Sequence, residues 1–252
     1  MNALPKANVR TTSPDGAKPV PVLRNHHAKR DGRQDPTREV PFDFSGSTIS
    51  VARRLVGALL IREPLAEDER SGKIVVRIVE TEAYLPFVDP SCHAYRGPTK
   101  RNASAFGRPG TSYVYFIYGN HFCLNVTTER PGIGAAVLIR AAEPVSGIEA
   151  MRARRPGVDD ARLASGPGNL CRALAIDRSL DGVDLADGDL RIVGGTEPKR
   201  LFEGPRIGLA VARDWPMRFF DADSPAISAH RRGRPAHDVS RINVDGRSRR
   251  ML

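Results

Sequence analysis

Eighteen residues, TSYVYFIYGNHFCLNVTT at 111–128, constrain this chain more than any other stretch. Two runs rich in β-branched and aromatic residues flank Gly119-Asn120, a pair suited to a tight turn, so the segment predicts an antiparallel hairpin. KIVVRIVETEAY predicts a further strand over 73–82, and AAVLIRAAEP another over 135–144. Shorter strands are expected near 190–193 and 205–212. STISVARRLVGALLI predicts a helix capped by Ser47 or Thr48, with Val51, Leu55, Ala58 and Leu59 on one face. GIEAMRARR predicts a second helix that ends at Pro156. SGPGNLCRALAI, 165–176, reads as a glycine-rich loop opening a third, with backbone N–H groups free at its start. The expected architecture is mixed α/β: a single domain with a central curved antiparallel β-sheet, flanking helices and a protruding β-hairpin.

A chain of 252 residues can bury one sizeable core or at most two small ones. Residues 1–42 carry eight Lys/Arg against four Asp/Glu and show no apolar period, so they are expected to be a disordered basic extension. The last 25 residues carry seven Arg against two Asp, and 229–252 is expected to be a basic, flexible tail. The part between, 43–228, is close to charge balance. The net charge of +10 therefore describes the ends, which suit nonspecific contact with a phosphate backbone or serve solubility alone. No apolar run approaches the length of a membrane span, and no secretory h-region opens the chain. Three cysteines with no paired spacing are expected to be reduced thiols.

All five tyrosines fall between positions 84 and 118. From Pro90 to Thr128 there is no acidic residue, while Arg96, Lys100, Arg101 and Arg108 all occur there. Cations interleaved with aromatics suit a surface that follows phosphates and stacks bases; an ordinary aromatic core edge with solvated arginines is the alternative.

Glu82 ends an apolar strand in VETEAY, and alternation puts Glu80 on the same face with Thr81 opposite. A carboxylate leaving a buried strand beside a tyrosine-rich loop is a candidate general base, or else a solvated strand-end acid. Arg140 is a lone charge inside AAVLIRAAEP and needs a partner if buried, for which Glu82 is a candidate. Cys92-His93 and His121-x-Cys123 lack the spacing of a zinc site, C-x-x-C is absent, and no metal is expected. Nothing resembles a nucleotide-binding glycine loop or an acyl-enzyme serine motif.

The segments ARRLVGALL, VETEAYL, DPSCHAYRGPTKRN, PGTSYVYFIYGNHFCLNV, AAVLIRAAEP and SGPGNLCRALAI, with the weaker IGL and SPAIS, resemble the alkyladenine (3-methyladenine) DNA glycosylases of the methylpurine type. They run in the same order over about residues 45–228. The resemblance implies a role for each matched position. Glu82 would activate the water that attacks the sugar C1′, and Arg140 would hold both water and carboxylate. Tyr84, His93 and Tyr115 would stack on an extruded base. Asn125 would exclude guanine through its exocyclic amine, and Tyr118 would fill the gap left in the duplex. Arg96, Lys100, Arg101 and Asn169 would meet the DNA backbone. Tyr95 and Tyr113 are given structural roles only.

A monofunctional base-excision enzyme is implied, acting on double-stranded DNA that contains alkylated or deaminated purines such as 3-methyladenine and hypoxanthine. It would need no metal and no cofactor, act as a monomer away from membranes, and work in a bacterial cytoplasm at the nucleoid or otherwise in a nucleus. Asn120, at the hairpin tip, and Asn169 depart from the family's usual apolar and basic residues at those positions. A non-catalytic protein that binds flipped bases is the competing reading, and it would have no use for the carboxylate of Glu82.

Overall fold

A computed structural model describes residues 39–64, 72–229 and 233–236. Among them run nine strands of one sheet: β1 (Leu59–Arg62), β2 (Ile74–Tyr84), β3 (Ser112–Ile117), β4 (His121–Thr128), β5 (Ala135–Ser146), β6 (Leu190–Val193), β7 (Leu201–Gly204), β8 (Arg218–Asp221) and β9 (Arg234–Pro235). Their order is β3-β4-β5-β2-β8-β7-β9, all pairs antiparallel, with β1 joining β2 to β6. The sheet is open and curved. Three helices flank it: α1 (Thr48–Leu55), α2 (Ile148–Arg154) and α3 (Pro167–Ala173). None of them is long and apolar enough to cross a membrane.

The long strands β2 and β5 are buried continuously over residues 78–83 and 135–142, which is why these parts do not alternate between apolar and polar residues. Val51, Ala52 and Leu55 of α1 pack on them in the main core with Val76, Ile78, Val137 and Ile139. Each of these Val, Ile and Leu side chains contributes about 1.5–3 kcal/mol when fully buried.

Several boundaries differ from expectation, for reasons beyond the local sequence. The helix predicted over 47–61 stops at Leu55, and Ala58 and Leu59 pass into a turn and β1. Gly57 causes the break. Its φ of +101° is open to glycine, and a Cβ there would come within 2.2 Å of the Thr196 carbonyl oxygen. Its N–H also donates to the Ile78 carbonyl, so the chain is captured by β2. The hairpin is real, but its turn centres on Tyr118-Gly119, with φ of +54° and +73°, one residue earlier than Gly119-Asn120. The strand expected at 205–212 is absent. β7 lies earlier in the chain, and β8, too short for a periodic signal, pairs with β2 instead. All three cysteines are buried free thiols.

Residues 39–42 fall in the sequence-derived extension, yet they run along the domain. Pro41 bridges Val193, the Phe42 N–H donates to the Ile192 carbonyl, and Glu39 pairs with Lys73 and Arg191. Arg234-Pro235 of the expected tail adds β9 to the edge of β7. Residues 1–38, 230–232 and 237–252 of the expected extensions lie outside the described residues.

Candidate active site

Two irregularities in the β2–β5 ladder build the charged half of the site. Ile78 is paired with Ala142 and Glu80 with Ala141, which leaves Val79 without a partner. Thr81 is then paired with Ile139, so Arg140 becomes the extra residue on β5. Such bulges re-aim the side chain they carry. Arg140 would face Glu80 in a straight ladder; displaced, it reaches both carboxylates of the β2 face. Its Nη1 donates to Glu82 Oε2 at 3.3 Å, and its Nε lies 3.3 Å from Glu80 Oε1.

Glu80 and Arg218 are fully buried as well, and Ser228 is half-buried beside them. Ser228 Oγ accepts from Arg140 Nε and Nη2 at 3.2 and 3.1 Å, and the Ser228 N–H donates to Glu80 Oε2 at 2.6 Å. Arg218, stacked on Phe220, places Nη1 3.4 Å from Glu80 Oε1. Two carboxylates thus balance two guanidinium groups. Burial works against the charge on Arg140, but Glu82 and Glu80 outweigh it and hold its pKa above the ordinary arginine value. Glu82 accepts two further hydrogen bonds: Oε1 from the Ile207 N–H at 2.7 Å and Oε2 from the Tyr84 hydroxyl at 2.8 Å. Burial, then the charge of Glu82, push the Tyr84 hydroxyl far above its usual pKa, so it remains a donor.

The aromatic half comes from the hairpin and the loop before it. Register places Tyr113, Asn125, Leu138, Glu82 and Arg218 in one row across β3, β4, β5, β2 and β8. Tyr115 stands two pairs nearer the hairpin tip, on the same face and opposite Cys123. His93 arrives on the 85–111 loop, which two buried groups fix in place. Asn102 donates to the carbonyls of His93 and Gly97 at 3.0 and 3.2 Å, and Asp89 pairs with Arg206.

His93 stands edge-on to Tyr115 with ring centroids 4.4 Å apart, and its Nδ1 lies 3.0 Å from the Tyr113 hydroxyl. One edge of the imidazole is open to solvent. The ring is nonetheless desolvated enough, with Arg101 adding repulsion, for its pKa to fall below the usual value. Burial pushes Tyr113 up to about 12 and Tyr115 higher still. All three groups are therefore neutral near pH 7.

A cavity of about 290 Å³ opens between the two halves. Tyr84, His93, Tyr115, Asn125 and Arg140 line it, and Tyr118 stands at its rim, 82% exposed at the hairpin tip. Glu82 lies one layer behind, hydrogen-bonded to three lining residues. Among the described residues no lysine lines the space.

Tyr113, given a structural part by sequence, also lines the cavity and lies in contact with His93. Arg96 and Arg101, together with Tyr95, line an adjoining cavity of about 590 Å³ that reaches the same hairpin tip. Lys100 is exposed on that loop. Asn169 is not brought to either cavity: its amide donates to the carbonyl of Ser165, just before α3. Sequence reasoning missed Arg206, Ile207, Asp89 and Ser228. The short runs IGL and SPAIS, next to or including three of them, were the available signal.

Comparison with known proteins places the chain among DNA glycosylases. A relative from Methanocella arvoryzae is 46% identical over 195 residues, covering 75% of this chain and 95% of its own length. Another, from Herpetosiphon aurantiacus, is 47% identical over 196 residues, covering 73% and 86%. A third, from Methanoculleus marisnigri, is 44% identical over 190 residues, covering 73% and 95%. Each carries the provisional name 3-methyladenine DNA glycosylase. Residues 42–225 match the profile of the family described as methylpurine-DNA glycosylase, and the chain belongs to that family.

Proposed function

We propose that this protein is a monofunctional DNA glycosylase that extrudes alkylated or deaminated purines from duplex DNA and hydrolyses their N-glycosidic bond. The observation that carries the reading is the convergence of Tyr84, His93, Tyr115, Asn125 and Arg140 on one cavity with Glu82 directly behind it.

A base inside a duplex cannot be reached, so the nucleotide must leave the stack at a cost of a few kcal/mol. Stacking on aromatic rings returns about 1–3 kcal/mol per base, and an inserted side chain fills the gap left behind. Tyr118 serves as that side chain. It projects from a two-strand support, and its exposure means that the isolated protein loses no packing when it enters the minor groove. Tyr84, Tyr115 and His93 receive the base, and their π faces draw a cationic alkylpurine more strongly than a normal base. Asn125, fixed by its amide on the Tyr113 carbonyl at 3.0 Å, stands against an exocyclic amine.

Water then attacks C1′ from the side of Glu82. The C1′–O bond forms as the C1′–N bond breaks, the electron pair leaves with the base, and the water proton passes to the carboxylate. Water replaces the Tyr84 hydroxyl on Oε2, one donor for another, while Arg140 keeps the carboxylate in place. With no lysine among the described residues of the cavity wall to form an imine, the product is an abasic site in an uncut strand.

The test is incubation with duplexes carrying hypoxanthine or ethenoadenine, with and without later alkali. Strand breaks after alkali alone support the reading. Breaks without alkali would indicate a lyase, and tight binding with no breaks at all a non-catalytic damage binder.

A further inference from the structure

Tyr84 carries a charge behind it that no other tyrosine of the cavity shares among the described residues. The Arg206 guanidinium lies 4.6 Å from its ring centroid. Tyr84 lines the cavity and Arg206 does not, so the cation covers the face of the ring turned away from the bound base. It cannot drift from that position. Its side chain is fully buried, Nη1 donates to the Ala83 carbonyl at 3.0 Å, and Nη2 donates to Asp89 Oδ1 at 2.9 Å. Asp89 is fully buried too and also bonds Nη1, so the pair is ionic and bidentate. The chain turns from this pair straight into the cavity wall, because Ile207 lines it and holds Glu82.

We infer that Arg206 sets the lesion preference of the cavity: fixed on the outer face of Tyr84, it reduces that ring's attraction for cationic bases and so lets neutral damaged purines compete. This rests on the stacking role given to Tyr84 above. An aromatic face attracts cations through its electron density, and a guanidinium on the opposite face draws on the same density while repelling the incoming charge. A neutral base such as hypoxanthine loses nothing by that arrangement. Asp89 partly screens Arg206, so the effect is graded rather than absolute.

The experiment compares single-turnover excision of 3-methyladenine, which is cationic and has no 2-amino group for Asn125 to exclude, and hypoxanthine, which is neutral, from otherwise identical duplexes. Removing Arg206 alone would leave Asp89 charged and buried, so the informative variant is Asp89→Asn/Arg206→Gln, which removes both charges and keeps hydrogen-bonding groups. Thermal melts establish that it folds, and Asp89→Leu/Arg206→Met is the second charge-free pair should the first not fold. The expected result is a rise of about three- to tenfold in the rate ratio of cationic to neutral lesion, the scale of one cation–π contact. Arg206→Lys, which keeps a positive charge, should hold the wild-type ratio.

An unchanged ratio in the charge-free variant, with both lesions still excised, overturns the inference and leaves the excision reading intact. Parallel loss of both rates in every variant overturns it as well, since Arg206 would then only support the fold. A wild-type protein that excises neither lesion removes both proposals together.

Discussion

Replacing Glu82 with Gln separates chemistry from binding at the atom on which the mechanism rests. The variant keeps shape but removes the charge and one acceptor from a site where Ile207, Tyr84 and Arg140 all donate. If the new amide nitrogen faces Oε1's partner, it opposes the Ile207 N–H; if it faces Tyr84, that hydroxyl rotates to accept, and only the Arg140 contact is lost. The second orientation is the cheaper. It still leaves Arg140 and Arg218 buried with Glu80 as the one remaining carboxylate, a net positive charge where the wild type is neutral.

Breaking a buried pair in this way costs about 3–5 kcal/mol, and the guanidinium already shared with Glu80 brings the expectation to the lower end. At about 2–4 °C per kcal/mol for a domain of this size, Tm should fall by roughly 6–12 °C. Loss of the general base should lower single-turnover excision of hypoxanthine by about 10²–10⁴-fold, equivalent to roughly 3–5 kcal/mol of barrier. Affinity for a duplex with an abasic-site analogue should be unchanged, because Glu82 lies behind the wall and does not touch the DNA. The assay is alkali-induced strand cleavage at saturating enzyme, below the variant's Tm. Excision at the wild-type rate by folded Glu82→Gln would refute the assignment, and loss of analogue binding would mean that Glu82 is structural.

Tyr118→Asn should keep or raise Tm, because asparagine tolerates a φ of +54° better than tyrosine does, yet weaken binding to a lesion duplex by about tenfold or more. Equal weakening on single strands would remove the wedge role. His93 has a folded-state pKa below its unfolded value near 6.5, so the unfolded chain takes the proton first. Stability should decline as pH drops below about 6.5 and level off once the folded pKa is passed; His93→Gln should flatten that limb in melts between pH 4.5 and 8, and an unchanged slope would show that His93 does not cause it. Gly57→Ala should cost about 2–4 kcal/mol, since its Cβ meets backbone at 2.2 Å, while excision per folded molecule stays at the wild-type level. A Tm within a degree of wild type would contradict the steric account.

The main strands, the hairpin, and α2 and α3 were legible because each is written in a local period. Alternating or continuous apolar runs name a strand wherever it packs, and the tyrosine cluster with its acid-free surroundings marked the functional loop. β8 and β9 were not legible: four and two residues give no period, and their strand character comes from pairing with β2 and β7. The early stop of α1 was likewise hidden, because Gly57 is decided by Thr196 and Ile78, far along the chain.

By itself the sequence determined which residues were candidates for the chemistry: a strand-end carboxylate, a lone arginine in an apolar strand, and tyrosines spaced to share one face of a hairpin. Only the tertiary structure decided how they meet. The bulge that turns Arg140 between Glu80 and Glu82 is a mismatch between two strands and belongs to neither alone. The row joining Tyr113, Asn125, Leu138, Glu82 and Arg218 is a matter of register across five strands. Arg206, Ile207 and Ser228 reach the site from more than a hundred residues beyond Glu82 or close to ninety beyond Arg140, and no local propensity encodes such a return. Side-chain period is set by bonds between neighbours, whereas the closing of a site depends on burial and pairing free energies shared across the whole domain.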